Sequence, residues 1–151
     1  MKHRMLILML LVASGCGLGL IAAAAPLPLA DLKGMIVFAR EFQGQWDIWA
    51  IRANGTGLTR LTDDPAKDAD PTWSPDGAKI LYASLRDGIS RVVRMNQDGS
   101  NPEVICDGQN PAWCPDGAAI VLVRDGEVIW RRLADGQERR LTPELWDRCA
   151  H

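Results

Sequence analysis

Pro71-Thr72-Trp73-Ser74-Pro75-Asp76-Gly77 returns forty positions later as Pro111-Ala112-Trp113-Cys114-Pro115-Asp116-Gly117. Two copies of P-x-W-[SC]-P-D-G at one spacing within 151 residues are a repeat rather than a coincidence. The flanks repeat with them. Ile80-Leu81-Tyr82-Ala83 and Ile120-Val121-Leu122-Val123 follow the two glycines, and Met35-Ile36-Val37-Phe38-Ala39 is a third apolar run with no motif in front of it. A period of about 40 residues, made of short strands and glycine-containing turns, predicts a β-propeller array.

The motif suits that fold for physical reasons. Proline presets φ at the first central position of a turn, aspartate caps the turn through its side chain, and glycine accepts a positive φ without steric cost. Pro75, Asp76 and Gly77, and again Pro115, Asp116 and Gly117, therefore read as structural hairpin turns. Trp73 and Trp113 close the strand before each turn and offer large apolar plates for packing between neighbouring sheets. They are also the residues to name first if the chain binds a ligand or partner, being aromatic and repeated.

The repeat resembles that of the TolB-type propellers, the WD40-like W-S-P-D-G family of exported bacterial proteins. The family unit runs from P-x-W-S-P-D-G through an I-x-F-x-S strand, an apolar third strand and N-x-D-G-[ST] to R-x-L-T. Here the first unit supplies Ile36-Val37-Phe38-Ala39, Asp47-Ile48-Trp49, Asn54-Gly55-Thr56 and Arg60-Leu61-Thr62. The second supplies Lys79 to Ser84, Arg91 to Met95, Asn96-Gln97-Asp98-Gly99-Ser100 and Val104-Ile105-Cys106. The third supplies Ile120 to Val123, Val128-Ile129-Trp130, Asp135-Gly136 and Arg140-Leu141-Thr142. The likeness covers residues 34–142 and implies an all-β fold of four-stranded antiparallel blades, with about three blades of a six-bladed propeller present. Completion by a second chain, a truncated propeller and a covering partner are all open readings.

Lys2 and Arg4 precede an apolar run from Met5 to Val12, and Ala22-Ala23-Ala24-Ala25 offers small residues for cleavage before Ala25. Residues 1–24 thus read as a secretory signal. Two rivals stand beside it. Ala13-Ser14-Gly15-Cys16 approximates a lipobox, with Cys16 the candidate for lipidation, and Met5 to Ala25 is long enough for an uncleaved membrane tether. All three place the remainder outside the cytoplasm. Residues 25–33 read as an extended linker and 143–151 as a C-terminal tail.

Loss of Lys2 and Arg4 with the signal leaves 15 basic against 19 acidic side chains. The basic residues are scattered, so no nucleic-acid footprint is present. Within the repeats the strands are expected near 35–40, 46–52 and 58–62, then 71–74, 79–84, 90–95 and 102–106, then 111–114, 119–124, 127–133 and 137–142. Asp63 to Asp70 reads as the first crossover and Asp107 to Asn110 as the second. Asp63, Asp64, Asp68 and Asp70 could gather oxygen ligands for Ca²⁺, but they do not match the calcium-loop pattern, and the favoured reading is a solvated loop. Arg131-Arg132 and Arg139-Arg140 form a modest basic patch. Cys106, Cys114 and Cys149 are an odd number in a compartment that permits disulfides. Cys106 and Cys114 fall on outermost and innermost strands, too far apart for a bridge, and read as inert buried thiols.

Enzyme readings find little support. After the signal the one histidine is His151, and there is no nucleophile elbow, zinc motif or phosphate-binding glycine loop. No catalytic residue, metal or cofactor is assigned. The resemblance implies a non-catalytic, periplasmic or extracellular binding or scaffold protein with a protein partner in the cell envelope, as in the Tol–Pal system with its peptidoglycan-associated lipoprotein. The alternative is a fragment of the substrate-gating propeller of a serine peptidase, without its hydrolase domain.

Overall fold

The computed structural model describes residues 29–142. They form eleven strands in three antiparallel sheets, each a simple meander. The first sheet has β1 (Met35–Phe42), β2 (Gln45–Arg52) and β3 (Thr59–Arg60). The second has β4 (Lys67–Trp73), β5 (Lys79–Arg86), β6 (Ile89–Asn96) and β7 (Glu103–Asp107). The third has β8 (Gln109–Trp113), β9 (Ala119–Arg124), β10 (Glu127–Arg132) and β11 (Glu138–Arg140). The expected blades are present, the first without an innermost strand.

Turn chemistry explains the meander. Gln43-Gly44, Asp87-Gly88 and Asp125-Gly126 all have both residues at positive φ, which is the two-residue turn whose twist matches that of its strands. They join β1 to β2, β5 to β6 and β9 to β10. The P-D-G turns join the first strand to the second. Gly77 N–H donates to Ser74 C=O at 2.9 Å and Ser74 N–H to Lys79 C=O at 2.9 Å, and Cys114, Gly117 and Ala119 repeat both bonds. At the turn before the outermost strand, the backbone N–H of Thr56, Ser100 and Gln137 donates to the side chain of Asn54, Asp98 and Asp135 respectively.

The outermost strands of the first and third sheets are shorter than expected, Thr59–Arg60 and Glu138–Arg140, and the second and third sheets begin earlier. The crossovers are shorter because Lys67 to Asp70 and Gln109-Asn110 belong to strands. The register shifts between Ala69 and Thr72, and between Gln109 and Ala112. Asp70 and Asn110 take positive φ at these points. A proline would end a regular strand, but a bulge needs no ladder donor from Pro71 or Pro111, so pairing resumes on its far side. In the linker, Leu29–Asp31 forms a single 3-10 turn rather than extended chain, a common short connector.

Each sheet presents a trailing face toward the preceding sheet and a leading face toward the following one. Ile80, Tyr82, Val93 and Met95 on the trailing face of the second sheet pack with Ile48, Val37, Ala39 and Trp73. Its leading face gives Leu81 and Val92 to a second core with Ile120, Leu122, Ile129 and Trp113. A central sheet apolar on both faces is what two-sided packing demands, and alternation along β5 delivers it.

Candidate functional site

The P-D-G turns and the Asn96–Ser100 and Leu133–Gly136 turns lie along one rim of the sheets. Between the second and third sheets this rim opens into a cleft of about 580 Å³, within the size range of ligand pockets. Trp113 and Leu133 give it apolar surface, and Lys79, Arg94 and Arg132 stand around it with Asp76 and Asp116. The cations are held in place by neighbours: Lys79 Nζ donates to Asn96 Oδ1 at 2.6 Å, Arg94 to Glu103 at 2.6 Å and Arg132 to Asp135 at 3.0 Å. Bonds from the Ser74 hydroxyl and the Ala78 N–H hold the Asp76 carboxyl below the usual carboxylate range. Asp135 is lowered likewise by the Gln137 N–H and the nearby Arg132. The arrangement offers a preset pattern of charge beside an indole.

Trp73 and Trp113 do not meet. Trp73 packs into the core between the first and second sheets, and Trp113 into the core between the second and third. Trp113 alone of the two lines the cleft. Both indole N–H groups are buried without an acceptor.

The outer strands carry an ion pair that single-motif reading missed. Arg60 on β3 bonds the fully buried Asp47 at 2.6 Å. Arg140 pairs with Glu127 at the corresponding place in the third sheet. Trp49↔Arg60, Val93↔Val104 and Ile129↔Arg140 are equivalent partners across the sheets. The second sheet therefore has Arg91 in the acidic position and Val104 in the arginine position. An acid thirteen residues before the arginine of the Arg-Leu-Thr segment, in the first and third units, is the sequence signal. The same segment ends in Thr62, whose hydroxyl accepts the Ile48 N–H at 2.9 Å.

Asp68 is the other buried acid. It is fully enclosed, opposite Ser84, and neither carboxylate oxygen has a partner in bonding geometry. Burial raises its pKa, and the Asp64 and Asp47 carboxylates add to this, while the Ser84 and Thr62 hydroxyls beside it pull it back. Burial and the same Asp68 and Asp64 charges push the Tyr82 phenol up.

The four aspartates weighed for calcium are dispersed. Asp63 pairs with Arg60, Asp64 accepts the Ala66 N–H and pairs with Arg86, Asp68 is enclosed, and Asp70 is exposed at the bulge. Among the described residues no three His, Cys, Asp or Glu side chains are placed to hold a metal. The basic patch also divides. Arg131 pairs with Glu138 on the trailing side, while Arg132 lies over Trp130 on the leading side. Cys106 and Cys114 are free and partly exposed rather than buried, and burial raises the Cys106 thiol against the pull of Arg131 and Arg124. The signal, Cys16, the candidate tether, the tail, Cys149 and both histidines lie outside the described residues. Among those described, no helix is long and apolar enough to cross a membrane.

A sequence profile of the TolB beta propeller domain matches residues 25–149. The chain belongs to that family. A TolB homolog of Chlorobium luteolum is 34% identical over 60 residues, 40% of this chain and 14% of that one. An uncharacterized protein of Agrobacterium fabrum is 35% identical over 80 residues, 48% of this chain and 27% of that one. The chain thus spans about a quarter or less of the curated relatives it matches. Among solved structures, a putative TolB from Agrobacterium tumefaciens superposes with a TM-score of 0.66 at 25% identity, covering 72% of this chain and 45% of that one. TolB from Acinetobacter baumannii gives 0.65 at 20% identity, covering 74% and 31%. A puromycin-hydrolyzing peptidase of Mycobacterium tuberculosis gives 0.53 at 16% identity, covering 73% and 24%, a likeness of fold alone.

Proposed function

We propose that this TolB-family chain is a non-catalytic, extracytoplasmic binding module whose rim engages a protein partner of the cell envelope, as part of a Tol–Pal-type assembly. The observation that carries the reading is the cleft between the P-D-G turns of the second and third sheets. It combines the apolar surface of Trp113 and Leu133 with the fixed charges of Lys79 and Arg94, an apolar centre with a charged rim such as protein interfaces use. Family membership and TolB relatives supply the partner class. The peptidase reading gains from the comparisons only a shared fold.

The test is photo-crosslinking in the intact cell, with a photoreactive residue in place of the exposed Ala118 at the cleft and, separately, of Val104 at the outer edge. The reading expects a discrete adduct with an envelope protein from position 118 and none from 104. Adducts from both positions, or from neither, would refute a rim site.

A further inference from the structure

Each sheet-to-sheet junction in this protein is made of the same positions. Ile80 and Ile120 are equivalent on trailing faces, and both are 0% exposed because a leading face covers them. The equivalent position in the first sheet is Ile36, and it is 50% exposed. Beside it on that face lie Phe38 and Trp49, a directly opposed pair that is half-buried, with Arg40 over the Trp49 ring. Their counterparts Tyr82–Val93 and Leu122–Ile129 are buried in the two cores. At the other end, the leading face of the third sheet presents Val121 opposite Trp130, and Val123 opposite Val128. These are half-buried. Their counterparts Leu81 and Val92 on the second sheet are 0% exposed.

The two faces left uncovered by the described residues are therefore the complementary halves of one junction, which those residues already form twice with the same positions. Aromatic and branched apolar side chains left open on this scale mark an interaction surface. We propose that the leading face of the third sheet packs on the trailing face of the first sheet of a second copy, and that two copies close head-to-tail into a ring of six sheets. A head-to-tail contact forms a closed ring when its rotation completes a circle and a filament when it does not. Six lies inside the range of about four to eight sheets at which propellers close.

The contact makes a distinctive prediction, because each copy uses two different faces. The full 151-residue chain is expressed and recovered from wherever the cell delivers it. Its mass is then measured by light scattering, with absorbance and refractive index together separating protein from any bound detergent. The expected mass is twice that of one chain. Phe38→Asp spoils the trailing face and Val128→Asp the leading face, so each variant alone is expected at one chain mass. Mixed, they retain one sound junction between them and are expected to return to two. Val104→Asp, on an outer strand away from both faces, is expected to leave the pair intact. Circular dichroism checks folding, and Ile36→Asp or Val121→Asp replaces a variant that fails it. A native mass of one chain would overturn the proposal, as would a mass above two. So would a pair that persists in either single variant, since that would mean pairing of like faces.

Discussion

The Ser74 hydroxyl lies 2.5 Å from Oδ1 of Asp76 and at the same time accepts the Lys79 N–H at 2.9 Å, closing the P-D-G turn of the second sheet from the inside. The third sheet has Cys114 at that place, and Asp116 keeps only its bond from the Ala118 N–H, at 2.9 Å. A thiol is a weak donor and acceptor, so the second turn forgoes two side-chain bonds that the first makes. Cys114→Ser is expected to stabilise the protein by about 1 kcal/mol, the ordinary net value of one hydrogen bond. Ser74→Ala should cost about the same or more. Urea unfolding followed by circular dichroism reads both, and a destabilised Cys114→Ser would count against the equivalence of the two turns.

The two acid–arginine pairs should differ sharply in worth. Asp47 is fully enclosed and Arg60 is 28% exposed, whereas Glu127 and Arg140 are 30% and 40% exposed. Removing one partner of an enclosed pair strands a buried charge. Arg60→Ala is therefore expected to cost about 3 kcal/mol, while Arg140→Ala should cost under about 1 kcal/mol. Equal losses in denaturant unfolding would show that Asp47 is less enclosed than described.

Asp68 fixes a pH dependence. Its folded pKa is raised, by burial first, so the folded state holds this proton more tightly than the unfolded state does. Below about pH 4 both states are protonated and the group costs nothing. Above that, the unfolded chain ionises freely while the folded one cannot, and stability falls until the raised value is passed. Asp68→Asn removes the titration and leaves groups able to bond the Ser84 and Thr62 hydroxyls. Its melting temperature relative to the parent should rise between pH 4 and pH 7. A constant difference across that range would exclude Asp68 as the origin.

Gly108, between β7 and β8, admits no side chain. Its φ is +141°, and an added Cβ would sit 2.4 Å from Leu122 Cδ1 and 3.1 Å from Val123 O. Gly108→Ala is expected to destabilise by about 2 kcal/mol or more, from overpacking and backbone strain together. Gly126→Ala meets no atom within 4 Å and carries the strain of its positive φ alone. It should cost less in the same unfolding measurement.

The architecture was legible in the sequence because turn residues and period-2 apolar runs are local signals. Asp125-Gly126, the two P-D-G segments and the run Ile80 to Ala83 each specify their own backbone. The strand starts at Lys67 and Gln109 were not legible, because Asp70-Pro71 and Asn110-Pro111 look like breaks until a bulge absorbs them. Asp68 looks like part of a solvated loop for the same reason, but as a strand residue it faces inward opposite Ser84. The Asp47–Arg60 pair was visible as a thirteen-residue spacing, but a spacing has no meaning before the pairing of β2 with β3 is known. The cleft draws Lys79, Arg94 and Arg132 from three strand ends and turns in two sheets, and no linear pattern unites them.

The central claim is that the rim cleft binds an envelope protein. It is tested by calorimetric titration of the chain with the peptidoglycan-associated lipoprotein of the same cell, repeated with Lys79→Glu/Arg94→Glu. The account predicts saturable binding by the parent, weakened about tenfold or more by the double reversal, a loss of at least ~1.4 kcal/mol, with the fold unchanged by circular dichroism. No heat of binding, or a Kd untouched by reversing both cations, would contradict it.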